Sequence, residues 1–307
     1  MTRTTPNSSG VMTFTASTTT GLSTYAWYVD GEVQSGVTGS TFTFNKNSNP
    51  KGAYVITVEC GGYSVSDTVL AGSIGSKTAP SAVGDIVFND GSATPYVAGM
   101  TLTSEQLNAA IAVIYYVGTA CSNDSSERIL GVGLNIYKYQ DTQEGYRWAI
   151  EGTTGYSQYF SGIDCAPSST GTHVGDAVTF SGDVDGSDNW NYICANDPEG
   201  SFNPHVNYPL FNYAITYAAT YNLTGNYMSG WYIPSIAELC YLYRNKETVS
   251  SIFSALGYTF YDEVTVNSSS QRSNPVTEYW AMCLNDGGIY NYPKHQNLCD
   301  IIFIQSF

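Results

Sequence analysis

At 307 residues the chain exceeds the usual size of one domain, so two domains, each large enough to bury a core, are the natural reading. A formal net charge of −15, with 26 acidic residues against 11 lysines and arginines, sets the chain against phosphate backbones and argues against nucleic acid as a partner. Only 12% of the residues are charged whereas tyrosine alone contributes 26, a balance that suits an extracellular adhesive surface better than a cytosolic enzyme.

From the N-terminus to about Leu70 the chain reads as short strands separated by turns. The run from Thr24 to Glu32 carries an inward Trp27 and an Asp30-Gly31 turn that sends it back as a hairpin. TFTFN from Thr41 and AYVITVEC from Ala53 alternate apolar and polar residues, and Gly61-Gly62 returns the latter as YSVSDTVL. One core Trp with this strand spacing resembles the bacterial immunoglobulin-like sandwiches, which implies an all-β N-terminal domain over residues 1–72. Trp27 is read as packing rather than as a ligand platform, because aromatic residues dominate cores.

The small, polar, Pro- and Gly-containing segment from Ala71 to Ala82 places a linker over residues 73–83 and a second domain over 84–307. There GDIVFNDGS from Gly84 reads as a strand with an Asp90-Gly91 turn. Thr103 or Ser104 caps a short helix through SEQLNAA, and IAVIYYVG follows as a buried strand. After a loop-rich middle, Asn207 is expected to cap a helix that starts at Tyr208-Pro209. A second helix follows Ser235 and buries Ile236, Leu239, Leu242 and Tyr243, with Glu238 closing a capping box on Ser235. Thr248 is expected to cap a third helix ending at Gly257, and everything beyond reads as strands and hairpins. The pattern is α+β, with helices segregated from a small, mostly antiparallel sheet.

Seven cysteines, Cys60, Cys121, Cys165, Cys194, Cys240, Cys283 and Cys299, show no CxxC spacing, so no zinc or redox motif is expected. One or two disulfides stay open, foremost among Cys121, Cys165 and Cys194, while Cys240 falls on an apolar helix face where a buried free thiol is common. His173, His205 and His295 occur singly and read as loop residues. The acidic stretch with Asp183, Asp185 and Asp188 departs from the EF-hand spacing and reads first as a turn bonding its own backbone, with calcium as the competing reading. No other cofactor is expected. No run reaches transmembrane length, and MTRTTPNSSG lacks an apolar signal core.

GDIVFNDGS, DGSDNWNYICANDPEG from Asp185 and SGWYIPSIAELCYLYRNK from Ser229 together resemble the C-type-lectin-like domains, of the formylglycine-generating-enzyme subtype, found in variable proteins diversified by retroelements. The resemblance is nearest to the treponemal variable lipoproteins and covers roughly the last three quarters of the chain. Carried over by position, the family's Trp-Ser-Ser-Ser-Gln turn appears as Asn267, Ser268, Ser269, Ser270 and Gln271, with Asn in place of Trp. The Ala-Trp strand and its turn appear as Tyr279, Trp280 and Asp286-Gly287. The last strand appears as Ile301 to Phe307, with Ile302 and Gln305 where the family carries Arg. The resemblance implies a rigid scaffold whose C-terminal region, about 265–300, is rewritten to bind a protein or another cell-surface molecule. It also implies a monomer on the cell surface as an outer-membrane lipoprotein, held to the membrane only by an anchor outside this sequence. A phage or virion adhesin could carry the same two modules.

Period two in Tyr279 to Asn285 puts Trp280, Met282 and Leu284 in a core and Tyr279, Ala281, Cys283 and Asn285 on the surface, with Ile289 returning inward. The expected ligand-binding, variable set is Thr265, Asn267, Arg272, Asn274, Pro275, Thr277, Glu278, Tyr279, Ala281, Cys283, Asn285, Asp286, Tyr290, Asn291, Tyr292, His295, Gln296, Asn297, Leu298 and Asp300. Tyr279, Tyr290 and Tyr292 would be its aromatic anchors. The enzymes of this fold use a closely spaced reactive Cys pair, whereas Cys283 and Cys299 are far apart in the sequence, so an oxidase is the lesser reading and no enzyme is expected.

Overall fold

The computed structural model describes residues 1–7, 9–19, 21–46, 54–69, 74–138, 146–260 and 264–307. They form two compact units, Met1–Ile74 and Gly75–Phe307.

Among the described residues the first unit holds seven short strands: β1 (Thr2–Arg3), β2 (Val11–Thr15), β3 (Ala26–Val29), β4 (Glu32–Val33), β5 (Thr41–Asn45), β6 (Tyr54–Cys60) and β7 (Tyr63–Val69). They pair antiparallel in two sheets, ordered β1-β2-β5 and β4-β3-β6-β7. Both expected hairpin turns are present. Asp30 and Gly31 have φ of 52° and 84°, and Gly61 and Gly62 have 58° and 83°, the left-handed pair that matches the twist of the flanking strands. Alternation along β6 buries Tyr54, Ile56, Val58 and Cys60, which meet Phe14 and Phe42 of the other sheet around Trp27. The Trp27 ring stacks on Phe42 at 5.5 Å and its indole N–H donates to the Gly39 carbonyl at 2.9 Å, so both the ring and its one polar atom are satisfied. Ala53 and Leu70, expected at strand ends, lie outside the described residues. The sequence reading passed over β2, although VMTFT alternates as cleanly as TFTFN.

The second unit is built on a five-stranded antiparallel sheet, ordered β17-β11-β10-β8-β9, from β8 (Asp85–Phe88), β9 (Ala93–Pro95), β10 (Ala110–Gly118), β11 (Arg128–Gly133) and the chain's last strand, β17 (Ile304–Ser306). Strand β10 is the expected apolar run, buried along its first seven residues because both faces of the sheet are covered. Ahead of it, α1 (Ser104–Ala109) starts at Thr103 through a reciprocal capping box with Gln106. The loop-rich middle contains α2 (Thr154–Ser157), a two-stranded sheet of β12 (Cys165–Pro167) and β13 (Phe180–Gly182), and the short helices α3 (Asn189–Asn196), α4 (Pro198–Ser201) and α5 (Pro204–Asn207). Helix α6 (Pro209–Thr220) follows, then α7 (Ile236–Arg244) and α8 (Lys246–Ala255). A three-stranded sheet, β14 (Thr265–Gln271), β15 (Glu278–Cys283) and β16 (Gly288–Pro293), precedes β17.

Two expected caps are displaced. Tyr208, not Asn207, is the N-cap of α6, because Asn207 is the last residue of α5 and spends its amide on the Gly200 carbonyl. Thr248 lies inside α8, whose N-cap is Asn245; Gly257, at φ +80°, stands just past its C-terminal end as expected.

The linker reading also changes. Ala71 to Ser73 lie outside the described residues, but 75–82 are fastened to the second unit. The Gly75 and Ser76 amides donate to the Ser92 and Thr94 hydroxyls, Lys77 exchanges backbone hydrogen bonds with Ala93, and its ammonium pairs at 2.9 Å with Asp85. Ser81 and Ala82 amides complete the Asp85 shell. Asp85 is buried, so this segment is what satisfies its charge. A chain that starts at Gly84 is therefore expected to be less stable to urea by about 2–4 kcal/mol than one that starts at Gly75. Equal unfolding midpoints would show that residues 75–83 are only a tether.

Candidate binding face

The C-terminal sheet hangs on a buried polar strand. Asn267, Ser268, Ser269, Ser270 and Gln271 of β14 are all at most 1% exposed, and each side chain is hydrogen-bonded. The Asn267 amide donates to the Cys299 and Asp300 carbonyls and accepts the Tyr279 hydroxyl at 2.6 Å. Ser268 donates to the Trp280 carbonyl at 2.5 Å. Ser269 donates to the Pro234 carbonyl and accepts from Asn189, while Ser270 accepts the first backbone N–H of α7, from Ile236. Gln271 accepts the Phe160 amide and donates to the Gln158 and Val276 carbonyls.

Strand β15 lies between β14 and β16, with Ala281 opposite Asn267 on one side and Tyr290 on the other. Trp280, Met282, Leu284 and Ile289 are buried as expected, but so are Tyr279 and Ala281, both at 0% exposure. The single-face division of β15 is thus corrected. Tyr279 and Ala281 join the main core with Cys299, Ile301 and Phe303, while Met282 on the other face reaches Gly175. Period two separates core from water only where one face of a sheet is uncovered, and here both are covered. Asn267 and Asp300 are buried too, so these four positions leave the expected surface set.

The remaining positions do reach solvent. Asn274, Pro275, Asn285, Asn291 and Leu298 are exposed, and Thr265, Arg272, Thr277, Glu278, Cys283, Asp286, Tyr290, Tyr292, His295, Gln296 and Asn297 are half-buried. They occupy the start of β14, the two ends of β15, the β14–β15 turn, the Asp286-Gly287 turn, the edge strand β16 and the segment after it. Asp286 accepts the Gly288 amide at 2.8 Å, and Gly287 at φ 71° supplies the left-handed step of its turn. At the other end of the sheet, Glu278 pairs with Arg272 and accepts the Asn291 amide at 2.6 Å, while the Arg272 guanidinium lies 4.7 Å over the Trp280 ring. Tyr292 packs beside Tyr279, with centroids 6.5 Å apart, so it is anchored on its inner edge and open on its outer one.

Buried charged groups support this sheet from within the unit. Lys294 is fully buried with its ammonium on the Gly155 carbonyl at 2.8 Å and 4.3 Å from the Trp148 ring, and burial pushes its pKa down to about 7. Arg128 pairs with Glu238 at 2.8 Å and Asp185 at 2.6 Å. Glu238 also accepts from Tyr232, Ser235 and Gly186, and burial raises it to about 7 against the pull of Arg128. Glu238 closes the capping box on Ser235 as expected and is in addition the carboxylate at the centre of this network. Neither Arg128 nor Lys294 was singled out in the sequence; each has a decisive partner, Glu238 for Arg128 and the Gly155 carbonyl for Lys294, that lies over a hundred residues away.

The acidic stretch behaves as a bonded turn. Asp185 caps Ser187 and meets Arg128, and Asp183 accepts the Asn123 amide at 2.6 Å. Among the described residues no group of three or more His, Cys, Asp or Glu side chains is placed to hold a metal ion. All seven cysteines are free thiols, so the disulfide among Cys121, Cys165 and Cys194 is not formed. Cys240 is buried, with its thiol on the Gly175 carbonyl. His173 and His205 are exposed, and His295 rests edge-on against Tyr156.

No protein-family profile and no curated protein matches the chain. Among solved structures, a fimbrial protein from Bacteroides ovatus aligns over 92% of this chain with a TM-score of 0.51 and 14% sequence identity. The chain spans 64% of that protein's length. At this identity the likeness is one of fold.

Two expected outcomes follow from the geometry. Tyr279→Phe removes the hydroxyl that satisfies the Asn267 carbonyl oxygen and should cost about 1–3 kcal/mol in urea unfolding, whereas exposed Asn285→Ala should stay within about 0.5 kcal/mol. Equal effects would place the sheet's interior elsewhere. Burial raises Asp183 to about 6, opposed chiefly by Asn123, and leaves its second oxygen without a donor, as is the Oδ1 of adjacent Asn189. A raised carboxyl pKa favours the protonated folded form. Its contribution is therefore complete below about pH 4 and lost as pH rises through about 6. Asp183→Asn should flatten the stability profile between these values and stabilise the protein at pH 7 by about 1–3 kcal/mol. A profile unchanged by the substitution would remove Asp183 from that titration.

Proposed function

We propose that the chain is a surface-displayed binding protein. In this reading an immunoglobulin-like unit precedes a C-type-lectin-like domain of the formylglycine-generating-enzyme subtype. The C-terminal region, about 265–300, is its retroelement-diversified binding site, with no catalytic role. One observation carries the reading: the side chains that hold the C-terminal sheet together are buried and mutually bonded, while those at its turns, edge and following segment reach solvent. Substitution at the second group leaves the first intact, which is what a scaffold for a variable surface requires.

The accessible set, led by Asn274, Asn285, Tyr290, Asn291, Tyr292 and Gln296, combines aromatic area with adaptable amides. Such a surface binds at low entropy cost and adjusts its hydrogen bonds to the partner, a protein or another cell-surface molecule. Fold-level likeness to a fimbrial protein supports display at a cell surface, as an anchored lipoprotein in this reading.

The test uses two libraries of equal size. Randomising Asn285, Tyr290, Asn291, Gln296 and Leu298 should leave most members folded, with melting temperatures within about 3 °C of the parent. Randomising Asn267, Ser269, Tyr279 and Ala281 should leave most unfolded. In natural isolates, sequence differences should concentrate at the first group of codons. Differences spread evenly over 84–307, or equal loss of folding in both libraries, would overturn the proposal.

A further inference from the structure

The first unit carries an unclosed groove that the proposed binding face does not involve. In an antiparallel ladder, directly paired residues share a face of the sheet. Along β6 and β7 the pairs on the inward face are Cys60 with Tyr63, Val58 with Val65, Ile56 with Asp67 and Tyr54 with Val69. Cys60, Val58 and Tyr54 belong to the core, at 8%, 4% and 4% exposure, and Val69 at the far end of β7 is 2% exposed. Yet Tyr63 and Val65, on the same inward face, are 75% and 46% exposed. The two sheets therefore close over the C-terminal end of β7 and stand open over its N-terminal end.

The opening is a groove of about 450 Å³ whose other wall is formed by Ala16 to Thr19 and Leu22. It runs on from the start of β1, where Thr2 pairs with Thr15 just before that wall begins and Met1 joins the lining. At the closed end, Arg3 donates to the Thr68 carbonyl and pairs with Asp67 at 3.4 Å, tying β1 across to β7. Strand β7 is the last of its sheet, and among the described residues no backbone group outside the β6 ladder pairs with it. Among the described residues no side chain lining the groove is charged, in a chain of net charge −15.

We infer that this groove accepts one extended strand from a partner polypeptide, uncharged and apolar at alternate positions. The occupant is extended because the uncovered positions follow period two, with Tyr63 and Val65 inward and Ser64 between them, and because β7 ends its sheet with a backbone edge that, short of the Thr68 carbonyl held by Arg3, no other strand pairs with. It is uncharged because none of the described side chains along the groove offers a buried charge a counter-ion. Adding it would cover Tyr63, Val65 and Leu22 and give β7 the second neighbour that an exposed edge strand lacks.

The probe is the acetylated, amidated peptide Thr-Val-Thr-Val-Ser-Val-Thr, offered at millimolar concentration to the full chain and read by amide hydrogen exchange. Exchange across residues 63–69 should slow by about threefold or more. The same peptide with Asp at its central Val should give no protection. Val65→Asp, and independently Leu22→Asp on the facing wall, should abolish protection while leaving the melting temperature of the chain near that of the parent, since both side chains are solvent-exposed. Absence of protection by the uncharged peptide, equal protection in either variant, or protection that appears without peptide and grows with protein concentration, as for a second copy, would each overturn the inference.

Discussion

The constraint on which the C-terminal half depends is that five consecutive polar side chains, Asn267 to Gln271, sit where no water reaches them. A hydroxyl or amide buried without a partner costs several times what its hydrogen bond contributes when made. The strand is therefore tolerated only in one arrangement, with Pro234, α7, Trp280, the Cys299-Asp300 segment and the Phe160 turn all in place around it. An apolar strand would accept small slips against the same neighbours. This one does not, and the precision of the sheet comes from polar groups rather than from packing alone.

A second buried polar centre works in the same way at the start of α7. Arg128 on β11 holds Glu238 and Asp185, and Glu238 in turn holds Ser235, Gly186 and Tyr232. Replacing such a network by apolar residues often leaves stability unchanged or raises it, so its value lies in orientation. It fixes the N-terminal end of α7 against the main sheet, and Ser270 then receives the first amide of that helix. The two polar centres are thus consecutive links between the five-stranded sheet and the three-stranded one.

Much of this was legible locally. The Asp30-Gly31 and Gly61-Gly62 turns, a helix cap at Thr103 or Ser104, the capping box at Ser235, the packing role of Trp27 and the apolar run of β10 each depend on residues within a few positions of one another. What escaped the sequence depends on distant cover. Tyr279 and Ala281 looked like a surface because period two describes one strand. Their burial is decided by Cys299, Ile301 and Phe303, which close over that side of β15. Asn207 had the chemistry of a cap, but the preceding turn claimed it. The short helices between Pro198 and Asn207 carry little periodicity, since a four-residue turn is too brief to show one.

Helix α2 receives both ends of the C-terminal sheet. Gln271, at the exit of β14, donates to the Gln158 carbonyl, and Lys294, just past β16, donates to the Gly155 carbonyl. The path from Gln271 to Lys294 is therefore a span between two fixed posts, crossing β15 and β16 on the way. Letters along that span can be exchanged freely at the turns, but its length cannot. One inserted or deleted residue within β15 or β16 would move a buried ammonium off its carbonyl or turn every inward side chain outward. The sheet is therefore built to tolerate a change of side chain at its turns and not a change in the number of residues between its two posts.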